Sequence, residues 1–211
     1  MIKKSVEAFS EELSSSAPTP GGGSVAALMG SMGASLVSMV ANLTIGKKKY
    51  ASVEGEVSQL LKESESLRQK LVDAIQKDID AFNFVMSVYA LPKTSDEEKT
   101  YRNQQMQISL KQAIEAPLEC AHLAMSVIPL SKKIAEIGNV NIISDAGVAA
   151  LAARAALSSS ALNVYVNASS LDDKDFGNAK ISEVNRLVYE SEQLEHEVFN
   201  KVSGVILGNL G

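Results

Sequence analysis

The sequence predicts an all-α fold, a bundle of long antiparallel helices, and three observations carry that prediction. Apolar residues recur at helical spacing over long stretches, the clearest from Val53 to Tyr89. Two further segments consist largely of Ala, Gly and Ser, which lets helix backbones approach closely. No stretch of strand length alternates apolar with polar residues, and Val164-Tyr165-Val166 is too short to count as one. Aromatic residues make up 5% and Trp is absent, so Ala, Val, Leu, Ile and Met must fill the core. At 211 residues the chain suits one domain spanning 1–211.

In chain order, a short helix is expected near Ser5 to Ser14. Ala17-Pro18-Thr19-Pro20-Gly21-Gly22-Gly23-Ser24 then breaks the pattern, because two prolines and three glycines do not suit a helix interior. Ser24 is a natural N-cap for the small-residue helix that follows. From Val53 to Tyr89 one apolar stripe defines a long helix, which Leu91-Pro92-Lys93-Thr94-Ser95-Asp96 ends. A third long helix is expected from about Asp96 to Ile128, kinked near Pro117. Ile137-Gly138-Asn139-Val140-Asn141 reads as a loop, and Ser144-Asp145 as the cap and first turn of an Ala/Ser helix reaching Ala168. A last helix runs from about Asp173 to Val205.

Composition excludes several functions. The formal net charge is −5, with basic residues scattered apart from Lys47-Lys48-Lys49, so nothing invites a nucleic-acid backbone. One cysteine, Cys120, and two histidines, His122 and His196, build neither a disulfide framework nor a zinc site. His122 is expected to pack in the core or an interface, His196 to lie in a solvated stretch. No charged residue occurs between Leu13 and Gly46, and Ser24 to Ile45 is long enough to cross a bilayer. Its many Ser, Gly, Asn and Thr residues fit a buried helix of a soluble bundle better. The expected compartment is the cytoplasm, with no membrane partner.

Four features can carry chemistry, each with a plainer structural reading beside it. The Gly21-Gly22-Gly23-Ser24 turn lets a ligand approach the backbone, and its free N–H groups favour an anion; it also serves simply as a corner. Asp78 falls in the same helical sector as Leu67, Leu71, Ile75 and Phe82, where a carboxylate is costly unless paired or used. Lys47, Lys48 and Lys49 complement the end of the small-residue helix or hold substrate carboxylates, and Lys93 has the same two readings. Asn163 and Asn167, four apart on one face, can read a heterocycle's hydrogen-bonding edge or bridge helices. Asn139 and Ser144-Asp145 are structural by default.

In order along the chain, the Pro18–Ser24 turn, Gly46-Lys47-Lys48-Lys49-Tyr50, Asp78-Ile79-Asp80-Ala81-Phe82, Leu91-Pro92-Lys93, Gly138-Asn139, Ser144–Ala149 and Asn163–Asn167 form a pattern. It resembles the cyclodeaminase part of the formiminotransferase-cyclodeaminase family and its stand-alone bacterial relatives. The resemblance implies a dimeric helical bundle that binds a tetrahydrofolate derivative near the glycine turn. It implies cyclodeamination of 5-formiminotetrahydrofolate to 5,10-methenyltetrahydrofolate and ammonia. Its alternative is hydrolysis of 5,10-methenyltetrahydrofolate, and a non-catalytic folate- or protein-binding bundle is a third reading. Both reactions involve a delocalised methenyl cation, so a carboxylate is needed, but no metal or redox cofactor. Asp78 is the first choice for that carboxylate and Asp145 the second. Lys47, Lys93 and Lys49 suit the glutamate tail or proton transfer, while Asn139, Ser144, Asn163 and Asn167 suit substrate contacts.

Overall fold

Every regular element in the structure, a computed structural model that describes residues 4–208, is helical. The helices are α1 (Val6–Leu13), α2 (Gly22–Asn42), α3 (Glu54–Tyr89), α4 (Asp96–Ile137), α5 (Ile143–Ser169) and α6 (Lys174–Gly208). Short 3-10 turns occupy Lys48–Val53 and Val140–Ile142.

Successive long helices run antiparallel, as their cross-contacts show. Ser24 meets Asp78 near the start of α2, and Ser38 meets Ser64 towards its end at 2.8 Å. Lys77 pairs with Glu119, and Lys133 with Glu56, along the α3–α4 hairpin. α2 and α5 approach each other closely through small residues. A Cβ on Gly33 would come within 2.9 Å of the Ala149 carbonyl and one on Gly30 within 3.4 Å of the Ala156 Cβ, with Leu71 of α3 2.9 Å from that same Gly30 position. Ala26, Ala34, Ala149, Ala153 and Ala156 are wholly buried along this seam. The small residues therefore set the spacing of α2 and α5, and Leu71, fully buried, fills the groove beside them.

Several boundaries differ from expectation. α4 continues to Ile137 with both Pro117 and Pro129 inside it. Tertiary packing of Val127, Ile128 and Ile134 outweighs the helix bond that Pro129 removes. Ser24 is not the N-cap of α2: Gly21 is, and Ser24 stands three residues into the helix, its hydroxyl turned to Asp78. Ser144 likewise caps nothing, since α5 begins at Ile143 and its cap is Ile142. α2 ends at Asn42, so Lys47, Lys48 and Lys49 lie beyond its last turn, exposed. His122 is exposed and bonds Glu183 at 2.7 Å rather than packing in the core. α4 itself starts as its sequence suggests, with a reciprocal Ser95–Glu98 capping box.

α2, α4 and α5 are each long and apolar enough to span a bilayer. They pack against one another in the bundle, flanked by α3 and α6, whose outer faces carry ion pairs.

Candidate active site

Asp78 lies in the last third of α3, opposite the first turn of α2. Its Oδ2 accepts the Ser24 hydroxyl at 2.9 Å. A Cβ on Gly23 would overlap the Asp78 carboxyl group, so the absence of a side chain there is what admits the acid. Gly23 is in ordinary helical geometry, and the only positive-φ residue among those described is Gly46. Its requirement is thus steric and not conformational. The anion held at the glycine-rich helix start is the protein's own carboxylate.

That carboxylate has no cationic partner among the described residues, which removes the buried salt bridge as its explanation. Burial pushes its pKa above the ordinary Asp range, while the Ser24 hydroxyl and amide pull the other way. Asp80, two residues on, is exposed and accepts from Gln76.

Asp78 borders a cavity of about 350 Å³ between α3, α4 and the end of α5. Phe82, Met86 and Tyr89 form one wall, and Asn163 and Asn167 the opposite one. The lower third of the α3 apolar stripe is therefore cavity wall rather than core. Met86 and Tyr89 are 46% and 55% exposed. Asn163 donates to the Ser159 carbonyl at 2.9 Å, and Asn167 to the Ala113 carbonyl, also at 2.9 Å. The second bond has a definite cause. Ala113 lies four residues before Pro117, whose nitrogen has no hydrogen to give, and the Asn167 amide supplies the missing donor. Each amide oxygen is left without a hydrogen-bond partner among the described residues. Cys120 is close enough to feel the Asp78 charge, but burial raises its pKa to about 11, so it stays an inert thiol.

The remaining candidates divide into two groups. Gly21 and Gly22 sit at the Asp78 end, with Asn163 3.8 Å from where a Gly22 Cβ would be. Lys93 lines a second cavity of about 460 Å³, which shares Tyr89 with the first. Lys47, Asn139, Ser144 and Asp145 gather at the other end of α2. Asn139 is buried there: its backbone N–H donates to Thr44, its amide donates to the Leu43 carbonyl, and its Oδ1 accepts from Asn141. The Val140 N–H donates to the Tyr50 hydroxyl. Asn139 is thus a clamp between two loops. Asp145 is half-buried in the first turn of α5, and Ser144 is exposed. From Asp145 to Asn163 the helix rises about 27 Å, so within one chain these groups cannot meet around one small molecule.

A wider groove of about 480 Å³ between α3 and α4 is lined by Lys62, Glu63 and Lys70 among others, solvated charges with no convergent set. Sequence reasoning missed Tyr89 and Arg102, which face each other across the α3–α4 hairpin 13 residues apart, a separation without a local pattern. For Asn167 a signal existed, since a proline inside a helix implies an orphan carbonyl four residues earlier.

An all-α bundle with an unpaired carboxylate, two half-free amides and an aromatic wall around one cavity defines a small-molecule enzyme of helical-bundle type. The comparisons give it a family. The formiminotransferase-cyclodeaminase family model matches residues 5–186, and the chain belongs to that family. It is 49% identical over 203 residues to the methenyltetrahydrofolate cyclohydrolase of Methylorubrum extorquens, covering 96% of this chain and 98% of that one. It is 29% identical over 192 residues to the formimidoyltransferase-cyclodeaminase of Rattus norvegicus, 91% of this chain but only 36% of that longer protein. The crystal structure of the formiminotetrahydrofolate cyclodeaminase from Thermotoga maritima superposes with a TM-score of 0.81 at 31% identity, covering 99% and 98% of the two chains.

Proposed function

We propose that this chain is a methenyltetrahydrofolate cyclohydrolase, with formimidoyltetrahydrofolate cyclodeamination as the second reading. The sequence alone put cyclodeamination first. The observation that reverses the order is the 49% identity, along almost the full length of both chains, to a cyclohydrolase, against 28–31% for the formimidoyltransferase-cyclodeaminases.

The cavity supports chemistry at a carbon bridging two nitrogens. The methenyl carbon is part of a delocalised cation, and Asp78 offers the counter-charge. Water adds to that carbon while Asp78 takes one of its protons, giving a neutral tetrahedral centre. One C–N bond then breaks, the electron pair staying on nitrogen, which receives the proton from Asp78. The remaining hydroxyl loses its proton to solvent as the formyl carbonyl forms. The raised pKa makes Asp78 a stronger base than an ordinary Asp, closer to neutral pH where proton transfer works best. Asn163 and Asn167 present free amide oxygens to N–H donors of a pterin, against the wall of Phe82 and Tyr89. Every step is ionic and balances without a metal or redox cofactor.

The working unit in this reading is a homodimer. Met32 and Met39 on α2 and Leu43 just after it, with Val148, Leu151, Leu162 and Val166 on α5, leave a large apolar face exposed along two adjacent helices. Two copies laid antiparallel on this face would bring Lys47 and Asp145 of one to Asp78 of the other. A monomer by light scattering at micromolar concentration would remove the dimer. Mixing inactive Asp78→Asn with inactive Asp145→Asn protein should restore turnover if the site is shared, and not otherwise. The partner is then dissolved folate, in the cytoplasm, with neither nucleic acid nor membrane involved. The net charge of −5 and the mutual packing of the apolar helices support that.

The deciding experiment follows the ultraviolet chromophore of the methenyl cation. A cyclohydrolase accelerates its loss from methenyltetrahydrofolate. A cyclodeaminase makes it appear from 5-formiminotetrahydrofolate, and appearance without accelerated loss would replace the first reading by the second.

A further inference from the structure

Asp78 borders the cavity between α3, α4 and α5, but Ser24, its hydrogen-bond partner, does not. Ser24 is wholly buried and is not among the residues that line the cavity. Its hydroxyl donates to Asp78 Oδ2 at 2.9 Å. Gly21 caps α2 without a side chain, so the N–H groups of the first turn have no cap of their own. The Ser24 N–H is one of them, and together with the hydroxyl it draws the Asp78 pKa down against the effect of burial. The carboxylate from α3 thus closes the start of α2, and both donors that hold it belong to one residue.

No other side chain among the described residues donates to this carboxylate. Cys120 of α4 lies near Asp78, and Ser160 of α5 lies beside Cys120. The thiol keeps its proton, its pKa pushed to about 11 by burial first and by the Asp78 charge as well. The Ser160 hydroxyl is buried with no hydrogen-bond partner. Four helices therefore bring one small polar side chain each to this part of the bundle, and only the pair Ser24 and Asp78 is bonded. The charged groups around it are remote or engaged. α2 carries none, since no charge occurs between Leu13 and Gly46. On α3 and α4, Lys77 and Glu119 pair with each other at 2.8 Å, and Asp80 is exposed. On α5 the charges are Asp145 and Arg154, at least nine residues before Asn163.

Resting on Asp78 as the reacting carboxylate, we infer that Ser24 is the positioning residue of the site: it touches no substrate and acts by holding the Asp78 carboxylate ionised and in one orientation. Burial alone favours the neutral acid and leaves the carboxyl group free to turn. A hydrogen bond to the charged form opposes both, and a charge-assisted bond is the stronger kind. Ser24 suits this place because its hydroxyl and its N–H sit on the same first turn, beside the glycine that leaves room for the acid.

The test combines two titrations of the full chain, wild type against Ser24→Ala and Ser24→Thr. The first follows turnover of methenyltetrahydrofolate with pH, corrected for the uncatalysed loss. The second follows the Asp78 carboxyl carbon by NMR in the ligand-free chain labelled at aspartate, its signal identified by its absence from Asp78→Asn. Ser24→Ala removes a donor to the charged form, so the Asp78 pKa rises. Its carboxyl titration and the acid limb of kcat should both move to higher pH by about one unit. The alkaline plateau of kcat should fall several-fold while KM barely moves. Ser24→Thr keeps the hydroxyl and should titrate with the wild type. If Ser24 instead contacts substrate, Ser24→Ala raises KM and moves neither titration. If it is merely structural, the melting temperature falls and again neither moves. Either result overturns the inference. A carboxyl titration that moves while the rate profile stays in place upholds the hold of Ser24 on Asp78 and counts against Asp78 as the base.

Discussion

The two ends of α2 are built from similar materials and do opposite things. At the amino end, glycine, serine and a carboxylate from α3 meet at a cavity. At the carboxyl end, Thr44, Asn139 and Tyr50 meet in a closed hydrogen-bonded knot. In the knot every named polar group has a protein partner, as buried structural groups do. At the amino end Asp78 has burial and the Ser24 hydroxyl and amide but no counter-cation among the described residues, which also give the two amide oxygens no hydrogen bond. Unmet polar capacity beside open space, rather than residue type, separates a site from a scaffold.

The largest expected effect tests the amino end. Asp78→Asn should lower turnover by about 10² or more, the scale for a positioned acid–base group. Its stability should move the other way. With the folded pKa raised, the ionised form is disfavoured in the fold. The group is neutral to stability below the ordinary Asp range and becomes a cost as pH rises through the raised value. The Asn variant should therefore melt at or above the wild type at pH 7, with the advantage vanishing in acid. The loss of about 3–5 kcal/mol that follows breaking a buried ion pair should not occur. Wild-type turnover in turn should fall as pH drops through the Asp78 pKa. A variant that melts normally and turns over within a few-fold of wild type would eliminate Asp78 as the base and move the role to Asp145.

Next comes Gly23→Ala. Its methyl group would displace the Asp78 carboxyl group, so turnover should fall by roughly tenfold or more while melting changes far less. Gly22→Ala meets only Asn163 at 3.8 Å and should be the milder change; Gly22→Val, bulkier and at the exposed mouth, should hinder ligand entry. Equal effects of the two alanine variants would sink the steric account. At the other end of α2, Asn139→Ala should cost about 1–3 kcal/mol of stability by leaving the Leu43 carbonyl and the Asn141 N–H unpaired. Thermal melting against assays run well below the transition would show stability falling first.

Much of this contrast was legible in the sequence. The helical class, the α3 stripe and Asp78 inside it follow from periodicity, which is local. The caps failed because Ser24 and Ser144 have the right chemistry one to three residues inside their helices, where position and not residue type decides. Asn139 and Asn163 look alike in sequence, and only the fold reveals that Thr44 and Leu43 close around the first. Arg102 was invisible for the same reason: its partner, Tyr89, lies on another helix. The grouping of sites at opposite ends of α2 follows from helix direction, which a linear reading leaves open.

The smallest effect concerns Asn167, which has a foot in both camps. Its amide N–H serves the orphan Ala113 carbonyl, a scaffold duty, while its oxygen accepts no hydrogen bond from the described residues. Asn167→Ala should cost about 1–2 kcal/mol of stability, because it leaves a carbonyl unpaired beside Pro117. Pro117→Ala restores an N–H at position 117 that can bond Ala113 within α4, so Asn167→Ala should cost less on that background. The difference is the coupling energy, and denaturant melts of the four proteins in the cycle measure it. Pterin affinity provides the other half. If the free oxygen of Asn167 reads the substrate, Asn167→Ala should weaken binding equally in the wild-type and Pro117→Ala backgrounds. If Asn167 only supports α4, the second substitution should recover binding together with stability. Recovery of both would return Asn167 to the scaffold and leave Asn163 as the amide that contacts the ring.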